Sequence, residues 1–272
     1  MFIFNIKGDN FTADHYIKEN ELPIELHTHD FIELIYMINV DGSYFVDDKE
    51  FKLKQRDLII TPPATHHRID FNNINNKYER IRLSVYPELL ENIEVKKILK
   101  NIQVVNCAEQ KTISDIFKKL DYYYKNFNET EFKTLVELLI KEIFLNLTLL
   151  ENENNAEPVF LSPILSQAIE YINKNLFEIQ SVSEISNALY ITESYLFDIF
   201  KTQLRTSPKK YITSKRLHAA QKQILLGSKP TEIFQDLGFN DYATFYRSYN
   251  KMFGHPPSQE KDYMFSNDKL QY

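Results

Sequence analysis

The sequence predicts an α+β multidomain chain: a β-barrel over residues 1–90, a helical segment over 91–150, a linker over 151–160 and an all-α domain over 161–272. Three observations predict it. Short β-branched and aromatic runs fill the first part, apolar residues then recur at helical spacing, and helix start signals repeat after a polar break ending in Pro158.

Composition narrows the classes. Apolar residues make up 43% and charged residues 26%, a globular profile. Five glycines and ten prolines exclude collagen-like and low-complexity chains. The single cysteine, Cys107, excludes an internal disulfide and a Cys-rich zinc site, and makes a reducing compartment the default. No basic-then-apolar leader opens the chain and no run of 18 apolar residues occurs, so a cytoplasmic protein without a membrane partner is expected. The net charge of −6 is unevenly spread. Residues 1–160 carry 19 Lys and Arg against 27 Asp and Glu, and residues 161–272 carry 13 against 11. An acidic front and a mildly basic back suit different partners.

In the first part, FIELIYMI, SYFV, FKL, DLIIT and ERIRLSVY read as strands separated by turn chemistry at Asp41-Gly42, Asp47-Asp48 and Pro62-Pro63. Such spacing suggests a small barrel or sandwich. Next, Ile113, Ile116, Phe117, Leu120 and Tyr124 step by threes and fours, as do Phe132, Leu135, Val136, Leu139, Ile143 and Leu147. These two amphipathic helices are the expected homodimer contact, because their apolar faces exceed what a small barrel needs for cover. ENENNAEP at 151–158 is polar and lacks an apolar face, as a linker does.

From 161 onward the helices announce their starts. Ser162-Pro163 and Ser207-Pro208 place an N-cap before a first-turn proline, Ser181 to Glu184 fits a capping box, and Thr192 can cap the helix from Glu193. Segments 181–204 and 229–254 share one layout: short helix, tight turn, second helix. Ile185, Leu189, Ile191, Leu196 and Phe200 match Ile233, Leu237, Phe239, Phe245 and Tyr249. This is the helix-turn-helix layout, whose second helix enters a DNA major groove. A helix from Pro208, closed by Gly227, can hold the two units one DNA turn apart.

SYLFDIFK, SPKKYITSKRLHAAQKQILL, EIFQDLGFNDYATFYRSYNKMFG and HPPSQ, in that order and spacing, resemble the AraC-type transcription regulators over about 100 residues. The resemblance places reading positions at Ser194, Phe197 and Asp198 in the first unit, and at Tyr242, Ala243, Tyr246 and Arg247 in the second. Arg247 can bond guanine O6 and N7 bidentately, and the Asp198 carboxylate can accept from cytosine N4. Lys201, Lys209 and Lys210 are candidate phosphate contacts. The resemblance implies promoter DNA as partner, contact with RNA polymerase, and activation as the family tendency. Departures from the family pattern include Tyr190 and Arg205 in place of glycines, Phe234 in place of a small residue, and Lys229-Pro230 in place of a Ser-apolar start.

In the first part, HTHDFIE at 27–33 is expected on one strand, with His27, His29, Phe31 and Glu33 on one face. His67 follows in RDLIITPPATHHR. These segments resemble the two cupin motifs over about 60 residues, departing at Arg56 and Ala64. His27, His29, Glu33 and His67 fall on the cupin metal positions. In the corresponding regulator layout the barrel binds a small effector and often no metal. The preferred expectation is therefore a metal-free effector pocket of His27, His29, Glu33 and His67, with Tyr36, Tyr44 and Arg68 as further lining and no cofactor. A divalent ion on the three histidines and Glu33 is the alternative for that set. A metal-dependent cupin enzyme and an interaction protein with degenerate reading helices are the alternatives for the whole chain.

Overall fold

The computed structural model describes residues 1–73, 75–91, 93–101, 104–150 and 156–260. The chain divides into two compact units, Met1–Val159 and Phe160–Tyr272. Residues 151–155 of the expected linker lie outside the described residues.

Among the described residues the first unit contains the strands β1 (Phe2–Lys7), β2 (Phe11–Glu19), β3 (Ile24–His27), β4 (Ile32–Asn39), β5 (Gly42–Val46), β6 (Lys49–Lys52), β7 (Asp57–Thr61), β8 (His67–Phe71), β9 (Lys77–Val85) and β10 (Val104–Asn106). One sheet runs β1-β2-β9-β4-β7-β10, and the second contains β6-β5-β8-β3. These strands pair with their neighbours antiparallel, as short connections allow. Gly42 permits the close approach of β5 to β8, since a Cβ there would run into the Asp70 carbonyl.

Alternation sorts the side chains of the first sheet onto two buried faces. Ile35 and Met37 of β4, Ile59 of β7 and Tyr78 of β9 pack with Tyr44, Val46, Phe51 and Ile69 of the second sheet. The alternate residues Ile32, Leu34 and Tyr36, with Ile81, Leu83 and Val85, join a separate core with the helices. Those helices are α1 (Val95–Asn101), α2 (Lys111–Asn126) and α3 (Glu129–Thr148). Asn128 and Glu131 form a reciprocal capping box at the start of α3, satisfying two otherwise unpaired amides. Buried His15 of β2 bonds Asp121 of α2 at 2.7 Å, tying sheet to helix.

This corrects two expectations. The apolar faces of α2 and α3 are consumed by the sheet: Ile113, Ile116, Phe117, Leu120, Phe132, Val136, Leu139, Ile143 and Leu147 are buried in that core. Their burial within the unit removes the reason for assigning those faces to a dimer contact. The segment 91–150 also contains a strand, β10, because Val104 and Val105 extend the sheet beside β7.

The second unit is helical: α4 (Pro163–Lys174), α5 (Val182–Ala188), α6 (Glu193–Gln203), α7 (Pro208–Leu225), α8 (Pro230–Ile233) and α9 (Tyr242–Phe253). The caps act as read. Ser162, Thr192 and Ser207 accept from the backbone N–H groups of Leu165, Tyr195 and Lys210. The Glu184 carboxylate accepts from the Ser181 backbone N–H at 3.0 Å. Leu217, Ala220 and Ile224 of α7 pack with Ile233, Leu237, Phe239, Phe245 and Tyr249. Glu260, fully buried, accepts from Tyr249 Oη at 2.7 Å and from Gln221 Nε2 at 3.1 Å, fastening the end of the described chain to α7 and α9.

Candidate functional site

The second unit presents two exposed helix faces. On α6 the buried side is Leu196, Ile199 and Phe200. Ser194, Phe197, Asp198 and Lys201 therefore lie together on the exposed side, at steps of three and four. On α9 Phe245 and Tyr249 are buried, which leaves Ala243, Tyr246 and Arg247 exposed and Tyr242 half-buried. Asp241 caps α9 by accepting from Thr244 N–H at 2.7 Å. Lys209 and Lys210 are exposed in the first turn of α7. Every residue expected to read or position DNA is thus on an accessible or partly accessible surface.

The turn chemistry of the departures is also visible. Tyr190 and Arg205 both adopt a φ of 55°, and Arg56 and Ala64 adopt 68° and 61°. Four positions where the sequence departs from family patterns are left-handed, a conformation that costs a side chain about 1–2 kcal/mol.

The first unit brings a polar cluster together by an unexpected route. HTHDFIE is not one strand: β3 ends at His27 and β4 begins at Ile32. The intervening bend still delivers His27 and His29 to Glu33. β8 adds His67, which pairs with His27 across the two strands. One ring nitrogen from each of His27, His29 and His67 lies within 4.8 Å of the others. Glu33 Oε2 is 3.3 Å from His67 Nε2 and 3.6 Å from His29 Nε2. Phe31 stacks on His29 at 4.1 Å.

The protonation of this cluster follows from its outer contacts. Nδ1 of His27, His29 and His67 faces the carbonyls of Glu25, Phe31 and Thr65 at 2.8, 2.9 and 2.9 Å. A carbonyl only accepts, so each Nδ1 carries a proton toward its carbonyl and each Nε2 is turned inward. Desolvation of its ring by the surrounding groups, then the effect of His67, holds His27 below the usual histidine range. Burial alone would raise Glu33, but the His29 and His67 contacts offset it and hold the carboxyl well below the usual range. His29 Nε2, His67 Nε2 and Glu33 Oε2 are buried at ion-pair distances without satisfied hydrogen-bond geometry. A second proton on His29 or His67 would pair that ring with Glu33, and a cation among the groups would serve in its place. One proton can serve one pair, whereas a divalent ion serves the whole set. The three imidazoles and one carboxylate fit such an ion, and their anchored Nδ1 atoms are the outer contacts that orient metal-binding histidines.

Tyr44 stands beside the cluster, its ring 6.0 Å from His67 and its hydroxyl 2.8 Å from Thr61 Oγ1. Tyr36 and Arg68 do not join it. Tyr36 is three residues from Glu33 along β4, an odd step, and its ring stacks on Phe117 of α2 at 4.3 Å. Arg68 follows His67 directly, so it takes the other face of β8, 3.9 Å over the Phe45 ring and 3.4 Å from Asp70.

Three residues absent from the sequence expectation adjoin the cluster. Asp14 of β2 accepts from Arg80 and from Arg82 Nε, the latter at 2.9 Å. Arg82 Nη1 also lies 3.8 Å from Glu33 Oε1. The signal was present: Arg80, Arg82 and Ser84 alternate with Ile81, Leu83 and Val85, marking an inward polar row.

Comparison with known proteins places the second unit. Residues 185–262 match the family described as a helix-turn-helix domain. The chain is 29% identical over 106 residues to the lactose operon transcription activator of Staphylococcus xylosus, covering 39% of this chain and 38% of that protein. It is 27% identical over 92 residues to the raffinose operon transcriptional regulatory protein RafR of Pediococcus pentosaceus, covering 34% and 33%. The matched region spans less than half the length of each of these relatives. ToxT of Vibrio cholerae O395 aligns over 96% of this chain and 100% of its own, at 10% identity and a TM-score of 0.39. Among the described residues no helix is long and apolar enough to cross a membrane. With its tandem layout, its two exposed helix faces and the match over residues 185–262, the second unit resembles an AraC-type helix-turn-helix domain.

Proposed function

We propose that the chain is a sequence-specific, DNA-binding transcription regulator rather than an enzyme, and that its first unit is a cupin-like effector domain. The observation that carries this is the pair of helix-turn-helix units, each with expected readers on the exposed side of its second helix. Arg247 supplies the bidentate guanine contact, Ser194 and Asp198 read from α6, and Lys201, Lys209 and Lys210 hold phosphates. Promoter DNA, RNA polymerase and a second copy of the chain are the partners, in the cytoplasm. The relation to a lactose operon activator favours activation. In the first unit, His27, His29, His67 and Glu33 would hold a divalent transition ion, which when bound supplies a Lewis-acid centre for a ligand.

The test is fluorescence anisotropy of the full chain on DNA from upstream of its own coding region, against scrambled DNA, over a salt series. Tight binding that prefers the native sequence and falls steeply with salt is expected. Arg247→Ala with Ser194→Ala should weaken native-sequence binding by about 1–3 kcal/mol per lost base contact while the fold is kept. Equal, weak binding to both DNAs by the wild-type chain would move the interaction-protein reading to first place.

A further inference from the structure

The two helix-turn-helix units seat their second helices differently. In the first, the buried side of α6 is apolar, formed by Leu196, Ile199 and Phe200, with the Phe200 ring edge-on to Tyr211 of α7 at 5.7 Å. In the second, the position that matches Phe200 is Tyr249 of α9, which is fully buried and carries a hydroxyl. That hydroxyl donates to Glu260 Oε2 at 2.7 Å. Glu260 is itself fully buried, and its carboxylate also meets Gln221 Nε2 of α7 at 3.1 Å and His255 Nε2 at 3.2 Å. One carboxylate thus joins α7, α9 and the segment that follows α9.

A buried carboxylate is costly unless donors of good geometry meet its oxygens. Helix α9 supplies one of these donors at the tip of a long side chain. Apolar packing is non-directional, whereas a hydrogen bond weakens steeply as its angle closes. The Tyr249–Glu260 bond therefore resists a roll of α9 about its own axis more sharply than the packing of Phe245 and Phe253 does. The roll decides what the helix presents. At about 100° per residue, Arg247 lies about 200° around the axis from Tyr249, on the opposite face. Holding the Tyr249 hydroxyl inward aims Arg247 outward. Phe200 has no hydroxyl, so α6 has no equivalent bond at the matching position.

We propose that Glu260 is a positioning residue for DNA reading: acting through Tyr249, it sets the roll of α9 that points Arg247 at a base. The inference rests on the reading of α9 as a DNA-reading helix with Arg247 on a base.

The experiment is fluorescence anisotropy of the full chain on DNA from upstream of its own coding region. Tyr249→Phe is measured alone, with Arg247→Ala and with Ser194→Ala, and the melting temperature shows that each chain is folded at the assay temperature. Tyr249→Phe removes one oxygen and keeps the ring. Alone it should weaken binding roughly tenfold, the scale of one misaimed base contact. The loss should persist beside Ser194→Ala and largely vanish beside Arg247→Ala, where the contact is already gone. A merely structural role would give the same further loss in both backgrounds. Glu260→Gln keeps a carbonyl oxygen for Tyr249 and should bind more tightly than Glu260→Ala. Wild-type affinity in Tyr249→Phe overturns the proposal, as does an equal further loss beside both substitutions. A wild-type chain with no preference for the native DNA overturns the DNA reading itself, and the positioning role falls with it.

Discussion

Arg216 Nη1 donates to the Gly238 carbonyl at 2.7 Å, across the turn of the second helix-turn-helix unit. The same guanidinium donates from Nε to Leu176 at 2.8 Å and from Nη2 to Ile179 at 2.5 Å, between α4 and α5. One side chain on α7 therefore ties the segment leading into the first helix-turn-helix to the turn of the second. Gly238 can approach because its φ is +80° and it has no Cβ, which would press on the Arg216 guanidinium and the Phe177 carbonyl.

Arg216→Ala removes three charge-assisted hydrogen bonds and leaves three carbonyls to find water. We expect a loss of about 3 kcal/mol, allowing for the half-exposed setting. Urea titration of the full chain, followed by a helical signal, measures it. Arg216→Lys should recover little, because an ammonium cannot reach three diverging acceptors as a fork does. An unchanged urea midpoint in the alanine variant would remove Arg216 from this role.

Tyr190 is 95% exposed and held at a φ of 55° in the turn between α5 and α6. Its side chain makes no buried contact that a glycine would lose. Tyr190→Gly should stabilise the second unit by up to about 1 kcal/mol, the strain relieved less the added entropy of the unfolded chain. A lower melting temperature in that variant would show that the ring contributes more than its exposure suggests.

Leu138 and Leu145 of α3 are exposed at 57% and 54%, seven residues apart on one face, with Leu149 at 79% beyond them. Once the buried faces of α2 and α3 are assigned to the sheet, this exposed stripe is where the proposed second copy of the chain would pack. Leu138→Glu with Leu145→Glu should convert a dimer to a monomer in sedimentation velocity. Each change should alter unfolding free energy by no more than about 0.5 kcal/mol, because the positions face solvent. A wild-type chain that sediments as a monomer over the same concentrations removes the dimer proposal.

Cys107 is buried, and burial followed by the Asp57 charge pushes its thiol up to about 12. A thiol in that state supplies little thiolate at about pH 8, where a free cysteine reacts readily. Labelling with a chromogenic disulfide should be slow in the native protein and fast in denaturant. Rapid native labelling would show that the strand β10 and its following turn open readily.

Local periodicity explains why so much was legible. The caps at Ser162, Ser181, Thr192 and Ser207 and the exposed faces of α6 and α9 depend on residues within one or two helical turns of each other. Such relations are written in spacing alone. The same holds for His27, His29 and Glu33, though through a bend rather than along one strand, since Thr28 to Phe31 leave the ladder. Tyr36 and Arg68 were misplaced for a related reason. Nearness in sequence to Glu33 and His67 suggested the same pocket, whereas the odd step along a strand sends them to the opposite face.

By itself the amino-acid sequence determined the kinds of element and their order, the tandem helix-turn-helix layout, and the side of each reading helix that faces outward. Each rests on short-range sterics, capping and a fixed residue period. Tertiary structure decided what lies against what. The pairing of β2 with β9 sets Asp14 opposite Arg82, and the pairing of β4 with β9 brings Glu33 beside them. These residues are far apart in the chain, and strand register, on which a one-residue slip reverses every side chain, is settled only when both faces of the sheet find their cores. The helices of 91–150 show the same division: their amphipathic period was readable, but that the sheet receives most of their apolar surface was decided by packing.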